Sequence, residues 1–279
     1  MDLNSSNATF SSNSLLVTKE PCLLFTVSIN SRFSFRESWT NLANGLIGFL
    51  LFPLFMFILA KMWEKFNGHL GNYTYKEMLV YIGATEILFL TFLRTGNINQ
   101  ASSDFSLSLA RPRSWLAMQF SALYGKTLGS RLVLTSLYFP LLIVFGVGFQ
   151  EASQTLLRFL LLLLPLGVLQ ALYSLLFSSA HVRWEMTSYL TLPFSKLFLI
   201  FGGVFAPVSD FSEPAKSFLL LMPTSDIFFQ PGYFAVKGYF YQISYLEWCT
   251  RIAFQALILL ALNIFFFKNS KRHHQSFGG

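Results

Sequence analysis

Arg111-Pro112-Arg113-Ser114-Trp115-Leu116-Ala117-Met118-Gln119-Phe120 is the centre of a basic island, residues 96–131, set between two long apolar runs. The island is too charged to lie in hydrocarbon and too patterned to be a slack linker. Trp115, Leu116, Met118, Phe120 and Leu123 make an apolar face, interrupted by Ala117, Gln119 and Ser121, with Ser114 placed to cap a helix. An amphipathic helix between apolar runs needs a surface to lie on, either the membrane or a partner protein.

The runs on either side decide the class. The chain is 53% hydrophobic and 12% charged over 279 residues, with 33 Phe, and its mean hydropathy is +0.52. So little charge cannot cover a soluble surface, and so many large rings exceed what one core buries. The expectation is an all-α integral membrane protein with six spans, at residues 42–60, 78–93, 132–149, 156–177, 187–206 and 252–267. Pro53, Pro140, Pro165 and Pro193 fall inside spans, where neighbouring helices can satisfy the carbonyls they free.

Outside the spans, residues 1–18 read as a loose Ser/Asn-rich tail without the layout of a secretory signal. Asn4 and Asn7 start glycosylation sequons, a pattern too short to carry weight. Arg32, Phe33, Phe35 and Arg36 suit a helix lying in the membrane interface, and a disordered lead-in fits the same residues. Residues 207–251 hold two apolar pieces, 218–222 and 227–236, broken by Pro223, Pro231 and Gly232; each is too short to span, so short re-entrant helices are expected. The transmembrane domain thus covers residues 19–267, and 268–279 form a basic tail. Lys and Arg favour the side carrying both termini and the island, which places that side in the cytoplasm.

Signs of catalysis are absent from the sequence. Gly125-Lys126-Thr127 ends like a phosphate-binding loop, but Phe120 stands where its first glycine belongs. His273 and His274 lack ligand spacing, so no metal site is expected, and Cys22 and Cys249 give no disulfide framework. Glu86 and Lys196 fall near the middles of spans two and five. They are candidates for a translocation path; the other readings of the same residues are a structural ion pair or a Lys196 that snorkels out of a misplaced span end.

Several motifs in order carry a resemblance: Gly71-Asn72-Tyr73-Thr74 with Glu77, Met78 and Tyr81, then Leu109-Ala110-Arg111-Pro112, then Gly203-Val204-Phe205-Ala206-Pro207, then Met222-Pro223 and Gly238, and Phe277-Gly278-Gly279. From Arg32 onward the chain resembles the permeases of ATP-binding-cassette (ABC) type-2 exporters, in the six-span subfamily with a Gly-Gly tail. It departs from that pattern at residues 181–184, where an apolar aromatic pair is more usual. The resemblance implies a bacterial inner-membrane subunit that is not itself an enzyme and binds no cofactor. ATP and Mg would sit on a separate cytoplasmic ATPase, and a second permease, identical or paralogous, would complete the pore. It also implies that Arg111, Pro112, Arg113, Ser114 and Trp115 belong to a coupling helix docking on the ATPase, braced by the interface helix. The cargo would be a hydrophobic or amphipathic compound. The competing expectation is a self-contained ion- or proton-coupled transporter or channel using Glu86 and Lys196.

Overall fold

The computed structural model describes residues 32, 58, 69–70, 73–94, 115–183, 187–204 and 206–278, and 87% of them are helical. The expected first span at 42–60, apart from a helical, exposed Ile58, lies outside the described residues. So do Phe33, Phe35 and Arg36 of the interface helix, and Arg111, Pro112, Arg113 and Ser114 of the island; Arg32 is helical and exposed.

A two-residue antiparallel ladder, β1 (His69–Leu70) and β2 (Tyr73–Thr74), turns the chain into α1 (Tyr75–Arg94). Thr74 and Glu77 form a reciprocal capping box: the Thr74 amide donates to Glu77 Oε2 at 3.0 Å, and the Glu77 amide donates to Thr74 Oγ1 at 3.4 Å. Two donors that a helix start leaves orphaned are thereby satisfied.

The next helix corrects the boundaries expected from sequence. An amphipathic segment followed by a separate span at 132–149 is replaced by one helix, α2 (Trp115–Val144), uninterrupted through Arg131 and Pro140. It closes at Gly146, not at Gln150. The Val147 amide bonds to the Leu142 carbonyl and the Gly146 amide to the Ile143 carbonyl, each at 3.0 Å, with Gly146 left-handed at φ 88. This is the Schellman arrangement, and the buried pair Leu142 and Val147 supplies its apolar contact. Gln150 and Glu151, polar enough to look like a loop, are instead the first turn of α3 (Phe149–Arg183), where an acidic side chain suits the helix dipole.

After α3 come α4 (Thr187–Phe201), a 3-10 turn (Val208–Asp210), and three short helices, α5 (Glu213–Leu221), α6 (Pro223–Ile227) and α7 (Phe229–Lys237); α8 (Tyr245–Gly278) ends the fold. Of the breaks expected within 207–251, Pro223 does start a new helix, α6, but Pro231 and Gly232 lie inside α7, and the chain breaks instead at Phe228 between α6 and α7.

Among the described residues, three helices are long and apolar enough to cross a membrane: α2, α3 over Phe149–Ala180, and α8 over Tyr245–Asn269. The α8 window is 17% buried, leaving Phe254, Leu257, Ile258 and Phe265 exposed, a surface that water does not support. This is a membrane protein.

The packing gives the bundle two distinct ends. Trp115, at the start of α2, stacks on Phe267 of α8 at 5.8 Å. At the other end, the Trp248 indole of α8 donates to the Asp226 carbonyl of α6 at 3.0 Å, and Arg158 of α3 donates to the Val236 carbonyl of α7 at 3.0 Å. The short helices therefore cap the end of the bundle opposite Trp115 and Phe267.

Candidate functional site

Four polar stations occur along this bundle, and the deepest is one that sequence reading missed. Arg131 is completely buried where α1, α2 and α3 meet. Its Nε donates to Thr91 Oγ1 at 3.3 Å, one Nη to the Leu163 carbonyl at 3.5 Å, and the other Nη to Gln170 Oε1. The Thr91 hydroxyl is itself tied to the carbonyls of Ile87 and Leu88, which fixes the face it offers. Sequence alone puts Arg131 at the edge of a solvated island, because a charge is read as a sign of water. The signal to the contrary was the run Leu132-Val133-Leu134 immediately after it, in helical phase with what precedes.

Glu86, on α1, is half-buried, and its Oε2 has no hydrogen-bond partner among the described residues. Lys196 lies exposed on α4. The structure does not bring the two together, so the ion pair entertained from sequence is absent and Lys196 faces the bundle exterior. Glu86 keeps its place inside.

At the far end, the short helices are pinned by a polar frame. Gln255 Nε2 donates to Asp226 Oδ2 at 2.8 Å, and Arg251 lies 3.9 Å from Asp226 Oδ1 and 2.7 Å from Glu247. Burial pushes the Asp226 carboxyl up to about 6, against the pull of Arg251 and Gln255. Lys237 pairs with Glu77 at 2.6 Å and sits 5.5 Å over the Tyr73 ring, while the Tyr73 hydroxyl meets Ser209 Oγ at 3.0 Å. Tyr81 donates to the Gly203 carbonyl, and Thr85 to that of Val204 at 2.9 Å. The first motif in the resemblance, 71–81, and its third, 203–207, thus meet in space, through tyrosine and threonine hydroxyls holding an irregular backbone segment against α1.

At the near end, Trp115 is 3% exposed and shares a cluster with Leu123, Ala171 and Leu175. Its ring is committed to Phe267, so of the five residues expected to dock on a partner, the one described serves as an anchor between α2 and α8. Asn263 strengthens the same end: its Nδ2 donates to the Leu172 and Leu259 carbonyls, and its Oδ1 accepts from Ser179 at 3.3 Å.

No group of three or more His, Cys, Asp or Glu able to hold a metal occurs among the described residues. Chemically, the arrangement offers buried donors and acceptors at helix contacts. No family model matches the chain, and no curated protein matches it.

Proposed function

We propose that this chain is the transmembrane subunit of an ABC type-2 exporter, with six spans formed by residues 42–60, α1, α2, α3, α4 and α8, and both termini in the cytoplasm of a bacterium. Two such subunits, identical or paralogous, would enclose the path. ATP and Mg belong to a cytoplasmic ATPase that docks at the island, and the cargo is hydrophobic or amphipathic.

The observation that carries this reading is the continuity of α2. A helix of 30 residues is about 45 Å long, so a displacement applied at the island is delivered without a hinge to Arg131 and Tyr138. A transporter driven by a partner needs such a lever between two packings of similar energy. The order of motifs and the short helices at the opposite end support the same assignment. With Trp115 committed to Phe267, the docking falls to Arg111 and Arg113.

The test is co-purification with a candidate ABC ATPase from the same genome. Arg111→Glu with Arg113→Glu is expected to abolish the complex and the substrate stimulation of ATP hydrolysis, while Trp115→Ala lowers stability first. If complex and stimulation both survive the double charge reversal, the reading is wrong. The ion-coupled alternative retains one supporting observation, the unpartnered Glu86 Oε2. It requires transport in proteoliposomes without ATP that Glu86→Gln removes.

A further inference from the structure

Arg131 carries a charge that none of the described residues answers. All three of its contacts are neutral, a hydroxyl, a backbone carbonyl and a carboxamide oxygen. The ionisable neighbour that acts on it is the phenol of Tyr124, uncharged at neutral pH. A guanidinium stays protonated under any physiological condition, and full burial without a counter-charge is strongly unfavourable.

Gln170 is 1% exposed, and its Nε2 has no hydrogen-bond partner among the described residues. One buried carboxamide therefore presents N–H donors beside a guanidinium that has further donors of its own. Spare donors next to an uncompensated positive charge call for a negatively charged acceptor with more than one oxygen. Carboxylate and phosphate both meet the fork geometry. Leu163, whose carbonyl the guanidinium meets, and Leu128, Leu132 and Leu166 on the same two helices belong to the apolar core or pack against it, so the rest of the ligand must be apolar.

We infer that Arg131, positioned by Thr91, and Gln170 form a binding site for the oxyanionic head, carboxylate or phosphate, of an amphipathic molecule. The site is closed in this structure and opens as α2 shifts against α1 and α3. Naming the ligand as exported cargo rests on the exporter reading above; the binding site itself does not.

The experiment uses the full chain, without any ATPase, in nanodiscs of zwitterionic lipid, so failure of the exporter reading leaves its outcome untouched. Dodecyl phosphate, dodecanoate, dodecyltrimethylammonium and inorganic phosphate are titrated by calorimetry. The two anionic amphiphiles are expected to bind saturably, with affinity falling about tenfold in Arg131→Met and less in Arg131→Lys. Gln170→Glu supplies the counter-charge from within, so it should abolish binding and raise the thermal midpoint. Binding lost together with that gain distinguishes a ligand site from a variant that has merely unfolded, and it carries the test if Arg131→Met does not fold. Equal binding of the cationic amphiphile, or undiminished affinity in Gln170→Glu, overturns the proposal. Inorganic phosphate binding as tightly as dodecyl phosphate overturns the amphipathic part. Repeating the titration in phosphatidylglycerol discs assigns the source: lost binding marks a lipid headgroup, retained binding a soluble amphiphile, and either supports the site.

Discussion

Glu77 combines two duties in one carboxylate, capping α1 through Thr74 and pairing with Lys237 at the end of α7. Burial alone would raise its pKa, but the Lys237 and Thr74 hydrogen bonds and the Lys237 charge outweigh that, and the carboxyl is held below its ordinary value. A depressed carboxylate stabilises the fold fully above its unfolded value of 4.5, and the contribution is lost as pH falls through the folded value below it. The pair is about a quarter to a third exposed, so screening limits its worth to about 1 kcal/mol. Glu77→Gln should therefore cost about that much at pH 7, and the gap to the native chain should narrow as pH falls below 4.5, as read from unfolding midpoints in detergent; a gap independent of pH would refute the pairing. At this scale the sequence is half legible. Thr74 and Glu77 stand at capping-box spacing, yet nothing local names Lys237, 160 positions away. Arg131 is illegible for a deeper reason, since burial of a charge is decided by what packs around it.

The α2–α3 hairpin shows what an element's own chemistry can specify. Gly146 was the true stop signal, masked in a hydropathy reading because Phe145, Val147 and Phe149 keep the run apolar. Nothing lies within 4 Å of where a side chain on Gly146 would point, so Gly146→Ala meets backbone strain alone and should cost about 1 kcal/mol. Gly83 is the contrasting case. A Cβ there would overlap the Tyr138 ring, whose hydroxyl donates to the Leu79 carbonyl at 2.8 Å, so α1 and α2 would have to separate. Gly83→Ala should cost about 1–3 kcal/mol by overpacking, visibly more than Gly146→Ala in parallel thermal melts. Equal losses would mean that the two helices do not touch at Gly83.

For the whole molecule, hydropathy predicts membrane character well and span number less well, because it measures contact with lipid. α1 carries Lys76, Glu77, Glu86 and Arg94 in 20 residues, and its middle is buried by other helices instead of bathed in hydrocarbon. α4, at 15 residues, is about 22 Å long, short of the roughly 30 Å of a bilayer core. Neither therefore joins α2, α3 and α8 on length and composition. Contacts inside the protein give a better handle. The Trp115–Phe267 stack puts the start of α2 and the basic end of α8 at one end, while Arg158 and Trp248 hold α7 and α6 at the other, and α5 runs directly into α6. If the bundle crosses the membrane once along this axis, the island and the tail share one side and α5 faces the opposite one. In a background with Cys22→Ser and Cys249→Ser, an impermeant maleimide should label Glu213→Cys on intact cells, and Ser103→Cys and Ser276→Cys only after permeabilisation. Labelling of Glu213→Cys and Ser276→Cys from the same side would require α8 to turn back within the membrane. A helix without a break from Tyr245 onward cannot do so.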